Sequence, residues 1–216
     1  MKLRYPFVLL GFVLAVPTHA GSIKMVNGVA VYTAGNNEVN TIVVDPRGSV
    51  FDPQGGPAIV GFSVKDSTAS LLGGPGCRIF QGTAICEPLP LSISLDLKDK
   101  NDRVSQDSPV DNGGVAIPMF VKGGSGDDVL LGGEERDTLD GELGNDTIDG
   151  KGGNDILQGG AGDDHLTGGP GVDSFNGAAG RDTIDAKDGA AERVDCGIGN
   201  DTVTVDAADD LHQCRW

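Results

Sequence analysis

Residues 123–185 decide the fold: GGSGDDVLL (123–131), GGEERDTLD (132–140), GELGNDTID (141–149), GKGGNDILQ (150–158), GGAGDDHLT (159–167), GGPGVDSFN (168–176) and GAAGRDTID (177–185). The period is nine residues, with no insertion. Position 1 is Gly in all seven blocks, and position 6 is Asp in all seven: Asp128, Asp137, Asp146, Asp155, Asp164, Asp173 and Asp182. Position 8 is always apolar: Leu130, Leu139, Ile148, Leu157, Leu166, Phe175 and Ile184. An acidic, Gly-rich disordered tail has no reason to hold apolar residues at one fixed phase.

The letters of one block have a physical reading. Glycines at positions 1, 2 and 4 allow positive φ, so the backbone can turn sharply and aim carbonyls inward. The Asp at position 6 closes the turn with a hard oxygen. Positions 7 to 9 make a short strand whose middle residue points to the core, while residues such as Thr138, Thr147 and Thr167 face water. One block cannot bury a single apolar side chain alone, so blocks must stack. Two blocks make a coil of two strands. Asp128, Asp146, Asp164 and Asp182 then line one edge, and Asp137, Asp155 and Asp173 the other. Strands stack about 4.8 Å apart, so these like charges repel unless a cation lies between successive loops. Carboxylate and peptide oxygens with no His or Cys select Ca²⁺. The pairs 128/146, 146/164, 164/182, 137/155 and 155/173 offer up to five inter-loop sites.

These blocks resemble the RTX, or hemolysin-type calcium-binding, nonapeptide family, whose G-G-x-G-x-D pattern they carry. The resemblance implies an all-β chain built on a right-handed parallel β-roll, a β-solenoid, with several Ca²⁺ ions held between consecutive loops of each edge. Some positions depart from the pattern. Glu135 replaces Gly at position 4, and Glu142, Lys151 and Ala178 replace Gly at position 2. A Cβ at positive φ costs about 1 kcal/mol, which makes loop 132–137 the weakest candidate. Arg136 and Lys151 lower the local affinity for a cation.

Outside the blocks the composition changes. The chain has 216 residues with 35 Gly, 5% aromatics and a net charge of −16. Residues 123–216 hold 22 acids and 6 bases, whereas residues 21–122 hold 10 acids, 8 bases and 8 of the 11 prolines. Such a charge argues against nucleic acid and against an anionic membrane surface. Residues 1–20 read as a signal peptide: a basic start with Lys2 and Arg4, an apolar run from Phe7 to Val16, and Thr18-His19-Ala20 before a cleavage after Ala20. That run is too short to span a bilayer. The expectation is a secreted, extracellular protein, and its four cysteines suit an oxidising compartment. Of three possible pairings, the local one is expected: Cys77–Cys86 and Cys196–Cys214.

Residues 21–122 are an N-terminal β region with runs at Val29–Tyr32, Thr41–Val44, Ala58–Val64, Leu91–Leu97 and Val115–Val121, separated by turn signals. It reads either as a small β domain or as an irregular cap in which the solenoid starts early. The stretch from Asp96 to Val104 is a decayed block with lysines in place of glycines. After 123–185, residues 186–216 hold a degenerate repeat at 194–203, following an insertion at 186–193, and a disulfide-closed C-terminal cap.

No HExxH or GxSxG occurs, and the mature chain has two histidines, His165 and His212, both read as solvated or structural. The functional expectation is a non-catalytic calcium-binding protein whose folding is coupled to extracellular Ca²⁺. Two alternatives are a calcium-rigidified adhesion protein with a cell-surface or matrix partner, and a small secreted hydrolase using residues 21–122.

Overall fold

A computed structural model describes residues 22–27, 29–34, 41–45, 49–50, 59–60, 62–66, 72–73, 77–80, 83–86, 92–106 and 117–214. The proposed signal segment lies outside them. The architecture is an all-β solenoid, and no helix among the described residues is long and apolar enough to cross a membrane.

Each coil contributes one strand to each of two ten-stranded sheets. One sheet stacks Met119–Ser125, Thr138–Leu143, Ile156–Ala161, Ser174–Ala179, Arg193–Asp195 and Asp210–His212. The other stacks Val129–Leu131, Thr147–Asp149, His165–Thr167, Thr183–Asp185 and Thr202–Thr204. All these neighbours are parallel, and within the array the register step is 18 residues, as in Leu139↔Leu157 and Ile148↔Leu166. Two nine-residue blocks therefore make one turn of the roll.

The strands are not alike. On one face they are three residues long, as positions 7 to 9 predict. On the other they are six, because positions 1 to 3 of the next block keep pairing, as in Glu142↔Gly160 and Leu143↔Ala161. Position 3 holds the reason. It is Ser125, Leu143, Ala161 or Ala179 where the strand runs on, and Glu134, Gly152 or Pro170 where it stops. Proline cannot donate to a ladder, and glycine weakens one.

Between the sheets runs one apolar column. The seven position-8 side chains are 0–2% exposed and continue through Val104, Val121, Leu95 and Tyr32 on one side and Val194 on the other. Burying a Leu or Ile this fully contributes about 1.5–3 kcal/mol, but each depends on the coil above and below it.

The same two sheets extend into the N-terminal region. Ser92–Asp96 pairs in parallel with both Met119–Ser125 and Val29–Thr33, and Arg103–Gln106 pairs in parallel with Val129–Leu131 and Thr41–Asp45. Beyond these the pairing turns antiparallel: Ser22–Val26 against Val29–Thr33, and Phe62–Asp66 between Thr41–Asp45 and Thr83–Cys86. The decayed block at 96–104 crosses from one sheet to the other as an array block does, from Ser92–Asp96 to Arg103–Gln106. Lys98 and Lys100 take the left-handed conformations of the missing glycines, at φ 78° and 83°, and Val104 is buried.

At the C-terminal end the step changes. Arg193–Asp195 stands 19 residues after its neighbour Ser174–Asn176, and Asp210–His212 only 17 after Arg193–Asp195. The insertion expected at 186–193 is therefore a single extra residue inside a ten-residue turn. Cys196 and Cys214 are disulfide-bonded, with Cα atoms 4.9 Å apart. At the other end the backbone register sets Cys77 opposite Cys86.

Candidate metal centre

The seven position-6 aspartates fall into two columns, and the hydrogen bonds show how they stack. On the first edge the Asp128 amide donates to Asp146 Oδ1 (2.8 Å), Asp146 to Asp164 (2.8 Å), Asp164 to Asp182 (3.0 Å) and Asp182 to Asp201 (3.0 Å). On the second edge the Asp137 amide donates to Asp155 Oδ1 and the Asp155 amide to Asp173 Oδ1, both at 2.8 Å. Each carboxylate thus spends one oxygen joining its loop to the turn before.

The other oxygen is the chemically interesting one. Oδ2 of Asp128, Asp146, Asp155, Asp164, Asp173 and Asp182 is buried and accepts no hydrogen bond, and these residues are at most 3% exposed. A buried carboxylate oxygen without a donor is costly. The pKa directions express the same fact. Burial pushes Asp155 up to about 8, Asp128 to about 7, and Asp146, Asp164 and Asp182 to about 6, with neighbouring carboxylates adding to it. Asp173 is also raised, first by burial and then by Asp188.

Peptide carbonyls complete the cradle. A Cβ built on Gly141 would collide with the Asp146 carboxylate and lie 2.6 Å from the Gly159 carbonyl of the next turn. At Gly144 (φ 137°) it would strike the Gly126 carbonyl of the turn before. The glycines keep open a space lined by hard oxygens. No nitrogen or sulfur ligand enters it, and the donor set fits calcium.

Asp137 is the exception. Its Oδ2 accepts the amide of Gly133 in its own loop, and its Oδ1 the amide of Met119 at 2.8 Å. Burial still raises it to about 6. The cause is the loop 132–137. Neither Gly133 nor Glu135 has the positive φ expected at positions 2 and 4, so Glu135 avoids the strain by changing the loop's shape. In the other departures the strain is accepted: Glu142, Lys151 and Ala178 sit at φ 70°, 73° and 67°.

Two features escaped the sequence reading. Asp102 of the decayed turn is buried and belongs to the first column, its amide donating to Asp128 Oδ1 at 2.7 Å. Position 5 builds a second ladder that runs in the opposite sense. Asp127 Oδ1 accepts from the Asn145 amide (2.9 Å), Asn145 Oδ1 from Asp163 (2.8 Å), and Asp163 Oδ1 from Arg181 (2.9 Å). The signal was the run of Asp and Asn at that position every 18 residues.

Residues 122–157 and 149–184 match the family model of the RTX calcium-binding nonapeptide repeat. The repeat region is an RTX array. Neither a curated protein nor a solved structure matches the chain. The RTX match gives a reason for carboxylates to stack here at all, since repeats of this family bind calcium. His165, at position 7 of an RTX block, is exposed on a strand.

Proposed function

We propose that the protein is a secreted, non-catalytic calcium-binding β-roll whose array folds when extracellular Ca²⁺ fills the inter-loop positions of both edges. The observation that carries this reading is the set of six buried, undonated carboxylate oxygens, four in one column and two in the other, each column at an 18-residue step. Asp128, Asp146, Asp164 and Asp182 would hold ions on the first edge, Asp155 and Asp173 on the second, with Asp137 the poorest ligand. The ion supplies charge neutralisation and nothing redox or Lewis-acidic is required of it. Residues 1–20 with their cleavage pattern support export, and the Cys196–Cys214 bridge suits an oxidising compartment.

At free Ca²⁺ tenfold above a dissociation constant, each site stabilises the fold by about 1.4 kcal/mol, so five give roughly 7, comparable to the whole stability of a typical domain. Extracellular modules bind at about 10⁻⁴–10⁻³ M, which places the folding transition in the range found outside cells. The test is a calcium titration followed by far-UV circular dichroism. Strand content should rise steeply with Ca²⁺ and poorly with Mg²⁺, which demands a smaller octahedral shell. The same strand content in excess EDTA as in about 5 mM Ca²⁺, some five times the weakest of those constants, would overturn the proposal.

A further inference from the structure

Beyond the array, the ten-residue turn brings a different set of acids together. One carboxylate oxygen from each of Asp188, Glu192 and Asp206 lies within 4.8 Å of the others. Asp188 and Asp206 alone would be an ordinary acidic patch. Glu192 is not part of a patch: it is 2% exposed, no donor group reaches either of its carboxylate oxygens, and the side chain it meets besides Asp188 and Asp206 is a further carboxyl, Asp209.

The backbone holds this trio rigidly. The Glu192 amide donates to Asp209 Oδ1 (3.2 Å), and the Glu192 carbonyl accepts from the Asp210 amide (2.8 Å). Asp206 Oδ2 accepts from the Gly189 amide, Asp188 Oδ2 from Gly171 and Asp188 Oδ1 from Ala190, each at 2.8 Å. Glu192 stands in the column of Asp155 and Asp173, but the extra residue of its turn and its extra methylene change what surrounds it. Array loops of this edge place Glu134, Gly152 or Pro170 three residues into the block, and two of those bring no carboxylate. Here Asp188 and Asp206 both reach the buried acid. Among the described residues no lysine or arginine pairs with any of the three. Three carboxylates at such separations repel strongly in a partly buried site, and a buried charge needs a partner. Hard carboxylate oxygens with lone pairs to spare suit a divalent cation of the calcium type.

We propose that Asp188, Glu192 and Asp206 form a separate calcium site that ties together the turns at 186–195 and 205–212, outside the matched repeats. None of its ligands is an array aspartate, so it stands whether or not the array binds.

The experiment counts ions by native mass spectrometry at saturating Ca²⁺ on the full chain, with calorimetry for affinity. Glu192→Gln keeps the shape and removes the charge. It should hold one ion fewer than the parent, with at least a tenfold loss in the affinity of that ion. Asp206→Asn, at a half-buried position, should show the same single-ion loss while keeping the parent's strand content in Ca²⁺, which separates loss of a ligand from misfolding. Asp155→Asn, an array variant, should retain the ion that Glu192→Gln loses. If the array binds nothing, the parent still holds one ion and Glu192→Gln none. If Glu192→Gln and Asp206→Asn both carry as many ions as the parent, the proposal is overturned.

Discussion

The two edges of the roll are made from the same nine-residue block, yet they are different structures. On the first edge, three residues, such as Gly144-Asn145-Asp146, carry the chain from a long strand to a short one. On the second, six residues, such as 150–155, carry it back. The first edge stacks an aspartate ladder on top of an Asp/Asn ladder running in the opposite sense. The second has the aspartate ladder and one position-5 bond, from the Val172 amide to Asn154 Oδ1 at 2.8 Å, and it begins with a loop that satisfies its own carboxylate. A sequence period of nine thus hides a structural period of 18. The difference teaches that position 6 supplies the ligand, while positions 3 and 5 decide how firmly its loop is held.

The largest expected effect is on calcium stoichiometry. Asp164→Asn, in the middle of the first edge, keeps an oxygen for the Asp146 amide but removes charge from the loops on both sides, so two inter-loop sites should weaken. At tenfold-saturating Ca²⁺ that is about 2.8 kcal/mol of ion-linked stability. Asp137→Asn should remove one site at most, because Gly133 already occupies its second oxygen. Equal losses in calorimetric titrations of the two variants would erase the distinction between the edges.

Calcium-stripped protein should respond to acid in the reverse of the usual direction. Burial raises these aspartates in the folded roll, Asp155 to about 8 and Asp128 to about 7, above an unfolded value near 4. The folded state therefore binds more protons across that window. Stability then rises as pH falls from about 8 towards 4 and levels off below. Strand content without calcium should recover partly between pH 8 and 5, with Asp155 of the second edge protonating first in carboxyl-resolved NMR. A loss of strand content over that range would contradict the burial of undonated oxygens.

The smallest effect isolates the outer ladder. Asn145→Ala removes the acceptor of the Asp163 amide and should lower stability in Ca²⁺ by about 1 kcal/mol. Arg136→Ala, at the same block position on the second edge, should stay within about 0.5 kcal/mol. Chemical denaturation of the two variants at fixed Ca²⁺ measures the contrast.

Much of this was legible in the sequence. The invariant Asp and apolar positions fixed the stacking, the core and the two aspartate columns, and the lysines at 98 and 100 marked a loop before the array because their spacing kept the block's phase. What stayed hidden did so for physical reasons. Exposed Asp and Asn at position 5 look like solvation until a neighbouring amide is placed opposite them. The alternation at position 3 shows only when blocks are compared two apart. Glu192 was lost because one inserted residue moved it out of phase, so a complete block read as an interruption.

The direction of stacking has a mechanical consequence. Because the strands are parallel and pile up along the roll, the hydrogen bonds between coils lie along the line joining its two ends. Tension applied at those ends would peel one coil at a time instead of shearing many strands together. Each step of 18 residues would release roughly 60 Å of chain. The Cys196–Cys214 bridge closes the last loop to such peeling, so the force would pass to the coil before it. The molecule would yield under load as a ratchet with a locked final tooth.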